Sequence, residues 1–150
     1  MTTLKLDDFM PYRLSIASNR VSAAVATAYE ALFGLTIPQW RLIAVTAESD
    51  GLTQQALGAA TRMDKVTVSR AAVALVDRGL VARRDNPGDA RSHLLSLTRA
   101  GRLLYDNVAP KALELEAQLF TGFSKAELAD FAAMLARIEA AAASIAPERG

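Results

Sequence analysis

Two short runs hold most of the side chains in this sequence that are suited to reading another molecule. From Asp64 to Arg70 the chain reads Asp-Lys-Val-Thr-Val-Ser-Arg, and from Asp89 to Ser92 it reads Asp-Ala-Arg-Ser. Their chemistry is hydrogen bonding, charge pairing and methyl contact. An Arg such as Arg70 presents a planar fork of donors that matches a guanine edge. Thr67 and Ser69 carry hydroxyls suited to phosphates or bases, and Val66 and Val73 suit thymine methyls. Lys65 adds a point charge, and Gln54 and Gln55 add amides that could bond phosphates at a helix N-terminus. Covalent chemistry has much less to work with. The sequence has no cysteine, a single histidine, and neither a G-x-S-x-G run nor a phosphate-cradling glycine motif. Glu114 with Glu116, and Glu127 with Asp130, are carboxylates of the kind that solvate a helix face. No catalytic residue, metal site or cofactor is expected, and an enzyme is the weakest of the functional readings.

The elements that must position these side chains follow from periodicity and punctuation. Leu14, Val21, Val25, Ala28 and Leu32 recur at helical spacing in a segment from Tyr12 to Phe33, and Gly34 stops it. Pro38 suits the first turn of a second helix, which runs through Trp40, Ile43 and Val45 to about Ser49 before Asp50-Gly51. Thr53 is an N-cap candidate for a short helix. Asp64 is another for a helix from Lys65 to Arg78, whose core face is Val68, Ala71, Ala72, Leu75 and Val76 and whose stop is Gly79. Two short helices separated only by Thr61-Arg62-Met63 form a helix-turn-helix pattern.

A strand from Leu80 to Arg84 follows, then the turn-rich Asp85-Asn86-Pro87-Gly88-Asp89. A return strand from Ser92 to Leu97 places His93, Leu95 and Leu97 on one side. A hairpin directly after a helix-turn-helix is a wing. His93, beside Leu95, is expected to be partly buried and structural. Thr98 caps a helix from Arg99 to about Leu119, and Ser124 caps a last one. That last helix carries an apolar stripe of Leu128, Phe131, Leu135, Ile138, Ala142 and Ile145, and Pro147 to Gly150 is expected to fray into a tail.

The 150 residues carry a net charge of only +1, which alone does not select a partner. Between Arg62 and Arg102, however, nine Lys or Arg face four Asp, so this stretch is +5 and the remainder −4. Arg83 and Arg84 on the first wing strand and Ser92 beside Arg91 join the candidate contacts. The missing cysteines rule out disulfides, thiolate zinc sites and thiol redox sensing. No basic segment followed by an apolar run opens the chain, and no uninterrupted apolar stretch of about 20 residues occurs. A soluble cytoplasmic protein without membrane contact is expected.

Asp89-Ala90-Arg91-Ser92-His93-Leu94-Leu95-Ser96-Leu97-Thr98, placed after Gly79-Leu80-Val81, matches a D-x-R-x-x-x-L-x-L-T pattern. In this it resembles the MarR (multiple antibiotic resistance regulator) family of winged helix-turn-helix transcriptional regulators. Asp64 to Arg70, Pro38-Gln39-Trp40-Arg41 and Leu97-Thr98-Arg99-Ala100-Gly101 resemble that family too. One departure is that Gln54 and Gln55 stand where members often carry an acidic residue. The resemblance implies a mainly α (α+β) fold, one domain over 1–150. It implies a DNA-binding module over about 50–100 and dimerisation helices over about 8–34 and 102–146. It also implies that Arg91 enters the minor groove of DNA with Asp89 as its partner, which fits the attraction of Arg to a narrow, negative groove. Without DNA, the same two residues would form a hairpin salt bridge of little consequence.

The leading expectation is a homodimeric regulator, a repressor released from a palindromic operator in double-stranded DNA by a small ligand. The alternative is a winged-helix module that binds protein and no DNA, against which the +5 stretch and Arg91 argue. Members of the resembled family take effectors between the DNA module and the dimer helices, many of them aromatic acids. By that resemblance Tyr12, Arg13, Trp40 and Arg41 are candidates to line such a site, with an Arg pairing a carboxylate. The competing reading keeps Trp40 in the core and both arginines on the surface.

Overall fold

A computed structural model describes residues 2–145. Met1 and residues 146–150, which include the tail expected from Pro147 to Gly150, lie outside the described residues. After a 3-10 turn at Leu6–Asp8 come α1 (Met10–Phe33), α2 (Ile37–Thr46), α3 (Gln54–Thr61) and α4 (Lys65–Asp77). The hairpin strands β1 (Val81–Asp85) and β2 (His93–Leu97) follow, then α5 (Arg99–Leu119) and α6 (Lys125–Ile145). The chain divides into two compact units at the step from Lys111 to Ala112, within α5 and directly after Pro110. Pro110 has no N–H to offer the carbonyl of Asp106, so the backbone ladder loses a rung there.

In the first unit the core is built from Leu35, Leu42, Ile43, Leu57, Val68, Leu75, Leu95 and Val108, all fully buried. Thr46 is buried with them, and its hydroxyl donates to the carbonyl of Leu42 at 2.6 Å, so no polar atom is stranded. An aromatic series ties three helices together. Tyr29 of α1 meets Trp40 of α2 edge-on at 5.7 Å, and Trp40 stacks on Tyr105 of α5 at 5.9 Å.

The expected elements are present, with local differences that have physical causes. Helix α1 starts at Met10 because Pro11 fits a first turn. Helix α2 opens with a capping box between Thr36 and Gln39 and stops at Thr46, short of the expected Ser49. The residues that follow close into tight turns, Glu48 N–H to Val45 O and Ser49 N–H to Thr46 O, while Arg102 takes the Ala47 carbonyl at 3.2 Å. Arg62 ends α3 in a left-handed conformation (φ 57°), a position where a β-carbon costs energy.

The strands pair antiparallel, with Val81 opposite Leu97, Arg83 opposite Leu95 and Asp85 opposite His93. Leu52 bridges Leu95 with two backbone hydrogen bonds and so ties the α2–α3 connection to the wing. Leu80 lies outside the strand because its backbone is used elsewhere: its N–H donates to Leu75 O, and its carbonyl accepts from Thr98 N–H at 3.1 Å. The Thr98 hydroxyl donates to Gly79 O at 2.6 Å and accepts from Gly101 N–H at 3.0 Å.

In the second unit a capping box opens α6: Ser124 N–H donates to the Glu127 carboxylate at 2.9 Å, and Glu127 N–H to the Ser124 hydroxyl at 3.1 Å. Phe120 and Phe123 pack edge-on at 5.9 Å. An apolar groove of about 370 Å³ runs along Phe120, Phe123, Leu128, Phe131 and Met134. Among the described residues no single helix is long and apolar enough to cross a membrane.

Gly101 allows the start of α5 to lie against the hairpin base, since a β-carbon there would overlap the Leu80 carbonyl oxygen and crowd Leu97. Gly101→Ala is expected to lower stability by ~2–3 kcal/mol, the cost of overpacking a backbone contact. Urea unfolding followed by circular dichroism checks this, and a wild-type midpoint would show that the contact is slack.

Candidate nucleic-acid interface

The face of α4 opposite its core is the centre of the candidate interface. Val68, Ala71, Ala72 and Leu75 are buried, which rotates Lys65, Val66, Arg70 and Val73 outward. Val66 is 58% exposed and Val73 45%, which leaves their methyl groups available for contact. Thr67 and Ser69 are half-buried at the edges of this face. Thr67 also has a local duty. Its N–H donates to the Asp64 carboxylate at 2.8 Å and its hydroxyl to the other carboxylate oxygen at 2.9 Å. The Thr67 backbone and side-chain hydrogen bonds hold the Asp64 carboxyl below its ordinary range.

Helix α3 meets the interface at its N-terminus. The Thr53 hydroxyl accepts from Ala56 N–H at 3.1 Å and so caps the helix without the acidic residue common among the family resembled. Gln54 and Gln55 line two adjoining clefts. One, of about 400 Å³, is completed by Gly58, Lys65 and Val68. The other, of about 450 Å³, reaches the wing and is lined by Arg83, Asn86, Asp89, Arg91, Ser92, His93 and Leu95 together with Thr53.

The wing loop is folded by its own side chains. The Asn86 carbonyl oxygen accepts from Gly88 N–H at 3.0 Å, and its amide donates to the Ser92 hydroxyl at 3.0 Å. Asp89 accepts from the Arg91 backbone N–H at 2.9 Å. The carboxylate thus fixes the Arg91 backbone. Among the described residues the Arg91 guanidinium has no ion-pair partner, so the hairpin salt bridge considered for this pair does not form.

The other arginines divide between two tasks. Arg83 lines the wing cleft. Arg84 instead donates to the Asp50 carbonyl at 2.6 Å and lies across Gly51, where it staples the loop before α3 to β1. Arg78 donates to Gly34 O at 3.0 Å and Phe33 O at 3.4 Å, closing the end of α1. Arg102 closes α2 and lies 5.7 Å from the Tyr105 ring centre. These structural duties of the arginines were not legible in the sequence: the carbonyls that they serve lie 34 to 55 residues away.

His93 departs from expectation. Its side chain is 58% exposed, with Nδ1 3.9 Å from the Asp85 carboxylate. The hairpin diverges from the core at this end, so Leu95 is buried while His93, two residues earlier on the same face, is not.

The four expected ligand residues are not gathered in one place. Trp40 is half-buried in the aromatic series and Arg41 is exposed. Tyr12 and Arg13 lie at the other end of α1, where Arg13 donates to Asp7 O at 3.4 Å. Tyr29 touches Trp40, and Tyr12 precedes it by nearly five helical turns, a separation of ~25 Å. Among the described residues no group of three or more His, Asp or Glu could hold a metal ion.

A family model described as the MarR family matches residues 33–92, from the end of α1 through the wing loop. The chain is similar to a probable transcriptional regulator from Pseudomonas aeruginosa, at 32% identity over 89% of this chain and 99% of that one, with a TM-score of 0.82. It shares its fold with BpsR of Bordetella bronchiseptica, at 24% identity over 92% and 98% of the chains and a TM-score of 0.85. That structure concerns regulation of the protein's DNA binding by 6-hydroxynicotinic acid. The fold is also that of a mutant MarR from E. coli complexed with operator DNA, at 21% identity, 91% and 99% coverage and a TM-score of 0.80.

The Asp64 cap gives this interface a testable acid response. A carboxyl held low in the folded state stabilises it above the ordinary carboxylate range, and that contribution disappears as pH falls through its own depressed value. The urea midpoint of wild type should exceed that of Asp64→Ala by the most near neutrality, and the gap should close in acid. A gap independent of pH would mean that the carboxylate charge plays no part in the cap.

Proposed function

Because the chain belongs to the MarR family of winged helix-turn-helix transcriptional regulators, we propose that it is a repressor that binds a palindromic operator as a homodimer and is released by a small ligand. The observation that carries the DNA contact is the pairing of an outward Lys65, Val66 and Arg70 on α4 with an unpaired Arg91 in a self-organised wing loop. Two clefts, one holding Lys65 and the other Arg83 and Arg91, lie beside Gln54 and Gln55. In this reading α4 enters a major groove, Gln54 and Gln55 bond the backbone, and Arg91 enters the neighbouring minor groove. Arg83, Ser69 and Ser92 supply further backbone contacts. Thr67 and Arg84 act mainly by holding α4 and the loop before α3 in place.

The dimer rests on apolar surface that the described chain leaves open at both ends. Met10, Leu14 and Val21 of α1 are exposed, as are Phe131, Met134, Ile138 and Ile145 of α6. Covering them with a second copy, through the segments about 8–34 and 102–146, would set two α4 helices on half-sites ~34–36 Å apart. Ligand release follows the precedent of the B. bronchiseptica protein, and we assign this chain an aromatic acid as effector. A pocket that used Tyr12 and Arg13 together with Trp40 and Arg41 would need two copies of the chain, since the ~25 Å along α1 separates the pairs. Such a ligand acts by preferring the DNA-incompetent arrangement of the dimer, and its leverage equals that preference.

The operator is found by selecting bound duplexes from random DNA, and affinity is then read by fluorescence anisotropy. Arg91→Ala should weaken operator binding by ~1–3 kcal/mol and leave the circular dichroism spectrum unaltered. Unchanged affinity at matched salt would remove Arg91 from the interface. Failure to retain any duplex at low salt would favour a protein-binding module instead.

Ile138 is 46% exposed on the apolar face of α6, so Ile138→Asp should turn a dimer into a monomer in sedimentation and abolish tight operator binding. A monomeric wild type that still bound a palindrome tightly would overturn the dimer.

A further inference from the structure

We infer that α4 reads its half-site through two thymine C5-methyl groups on either side of a single guanine, with Val66 and Val73 taking the methyls and Arg70 the guanine edge. This deepens, and rests on, the DNA-binding reading of α4.

The alignment follows from helical geometry. At about 100° per residue, Val66, Arg70 and Val73 fall within an arc of about 60°, directly opposite Val68, Ala71, Ala72 and Leu75 of the core. All three are exposed, and the valines keep 58% and 45% of their surface open. At 1.5 Å per residue the stripe is ~10.5 Å long, about three base-pair steps of 3.4 Å, and Arg70 lies between the valines. Asp77 takes the next place on the stripe. Its exposed carboxylate would meet phosphate with like charge, so the readable length ends at Val73.

The polar residues beside the stripe are tied or turned elsewhere. The Thr67 hydroxyl donates to the Asp64 carboxylate at 2.9 Å, so its proton is committed to the cap. Lys65 lines a cleft with Gln54, Gln55 and Gly58, a placement that suits the DNA backbone. Ser69 is half-buried at the edge. Arg70 is the polar group at the centre of the stripe, where its donor fork matches the O6 and N7 acceptors of guanine. The hydrocarbon on both sides of it matches the one apolar group that a major groove presents, the thymine methyl.

The test measures anisotropy at matched salt on the operator selected from random DNA. Deoxyuridine replaces thymidine, or 7-deazaguanine replaces guanine, one position at a time in both half-sites. Each uracil removes a methyl and no hydrogen bond. Two thymines per half-site, separated by the guanine and within about four base pairs, should each cost wild type roughly threefold to fivefold per half-site, the value of one methyl taken from water. Val66→Ala should lose the response to uracil at one of these thymines and Val73→Ala at the other. Arg70→Ala should lose the response to 7-deazaguanine. Alanine suits an exposed helix position, so all three variants should keep the wild-type circular dichroism spectrum. A half-site without such thymines, a wild type that ignores uracil, or variants that keep the wild-type responses overturn the inference and leave the DNA-binding reading standing. A wild type that binds no duplex even at low salt overturns both.

Discussion

The wing can be aimed because both of its ends are tied to one point. Thr98 joins the two ends of the hairpin: its N–H holds the Leu80 carbonyl, and its hydroxyl bridges the Gly79 carbonyl to the Gly101 N–H. Only a residue without a β-carbon lets α5 begin so close to Leu80. That contact sets the direction of β1 as it leaves α4 and of β2 as it enters α5. The two strands then carry Arg83 and His93 to one cleft while Leu95 stays in the core. A displacement of this junction would move Arg91 relative to the outward face of α4, and the proposed engagement of two grooves of one duplex depends on that relation.

Most elements were legible because several local signals agreed at each of them. Helix α4 had a cap at Asp64, a core stripe of Val68, Ala71, Ala72 and Leu75, and a terminal Gly79, and it spans nearly the expected residues. The hairpin was marked by the Asn-Pro-Gly turn and by apolar alternation. Where a boundary or an environment depended on a distant partner, the sequence was silent. Helix α2 gives way to tight turns after Thr46, where Arg102, 55 residues away, takes the Ala47 carbonyl, and His93 is exposed because the hairpin diverges from the core. The site was legible in the same uneven way. The outward face of α4 followed from periodicity, but the division of arginines between surface and scaffold did not.

That division changes what the charge count means. Composition alone places nine cations between Arg62 and Arg102. Arg78, Arg84 and Arg102 each donate to a backbone carbonyl, at the end of α1, in the loop before α3 and at the end of α2 respectively. Their role is to satisfy helix ends and a loop that would otherwise expose unpaired acceptors, and they tie the module's connections together in doing so. Three of the nine cations in the stretch that points to nucleic acid therefore serve as internal scaffold.

Lys65, Arg70, Arg83 and Arg91 remain as the cations that the described structure turns toward the α4 face and the wing cleft. If each met one phosphate, a single chain would release about four counterions, giving a salt slope near −3.6, the regime of weak and largely non-specific contact. Two chains on a palindrome double that number and impose a fixed spacing that random DNA does not reward. The sparse cationic surface and the exposed apolar residues of α1 and of α6 therefore both favour the proposed dimer. The proposed dimer would both cover hydrocarbon and gather enough charge for an operator to stand out from its surroundings. A ligand that alters only the spacing between the two α4 helices could then release DNA without touching any residue that contacts it.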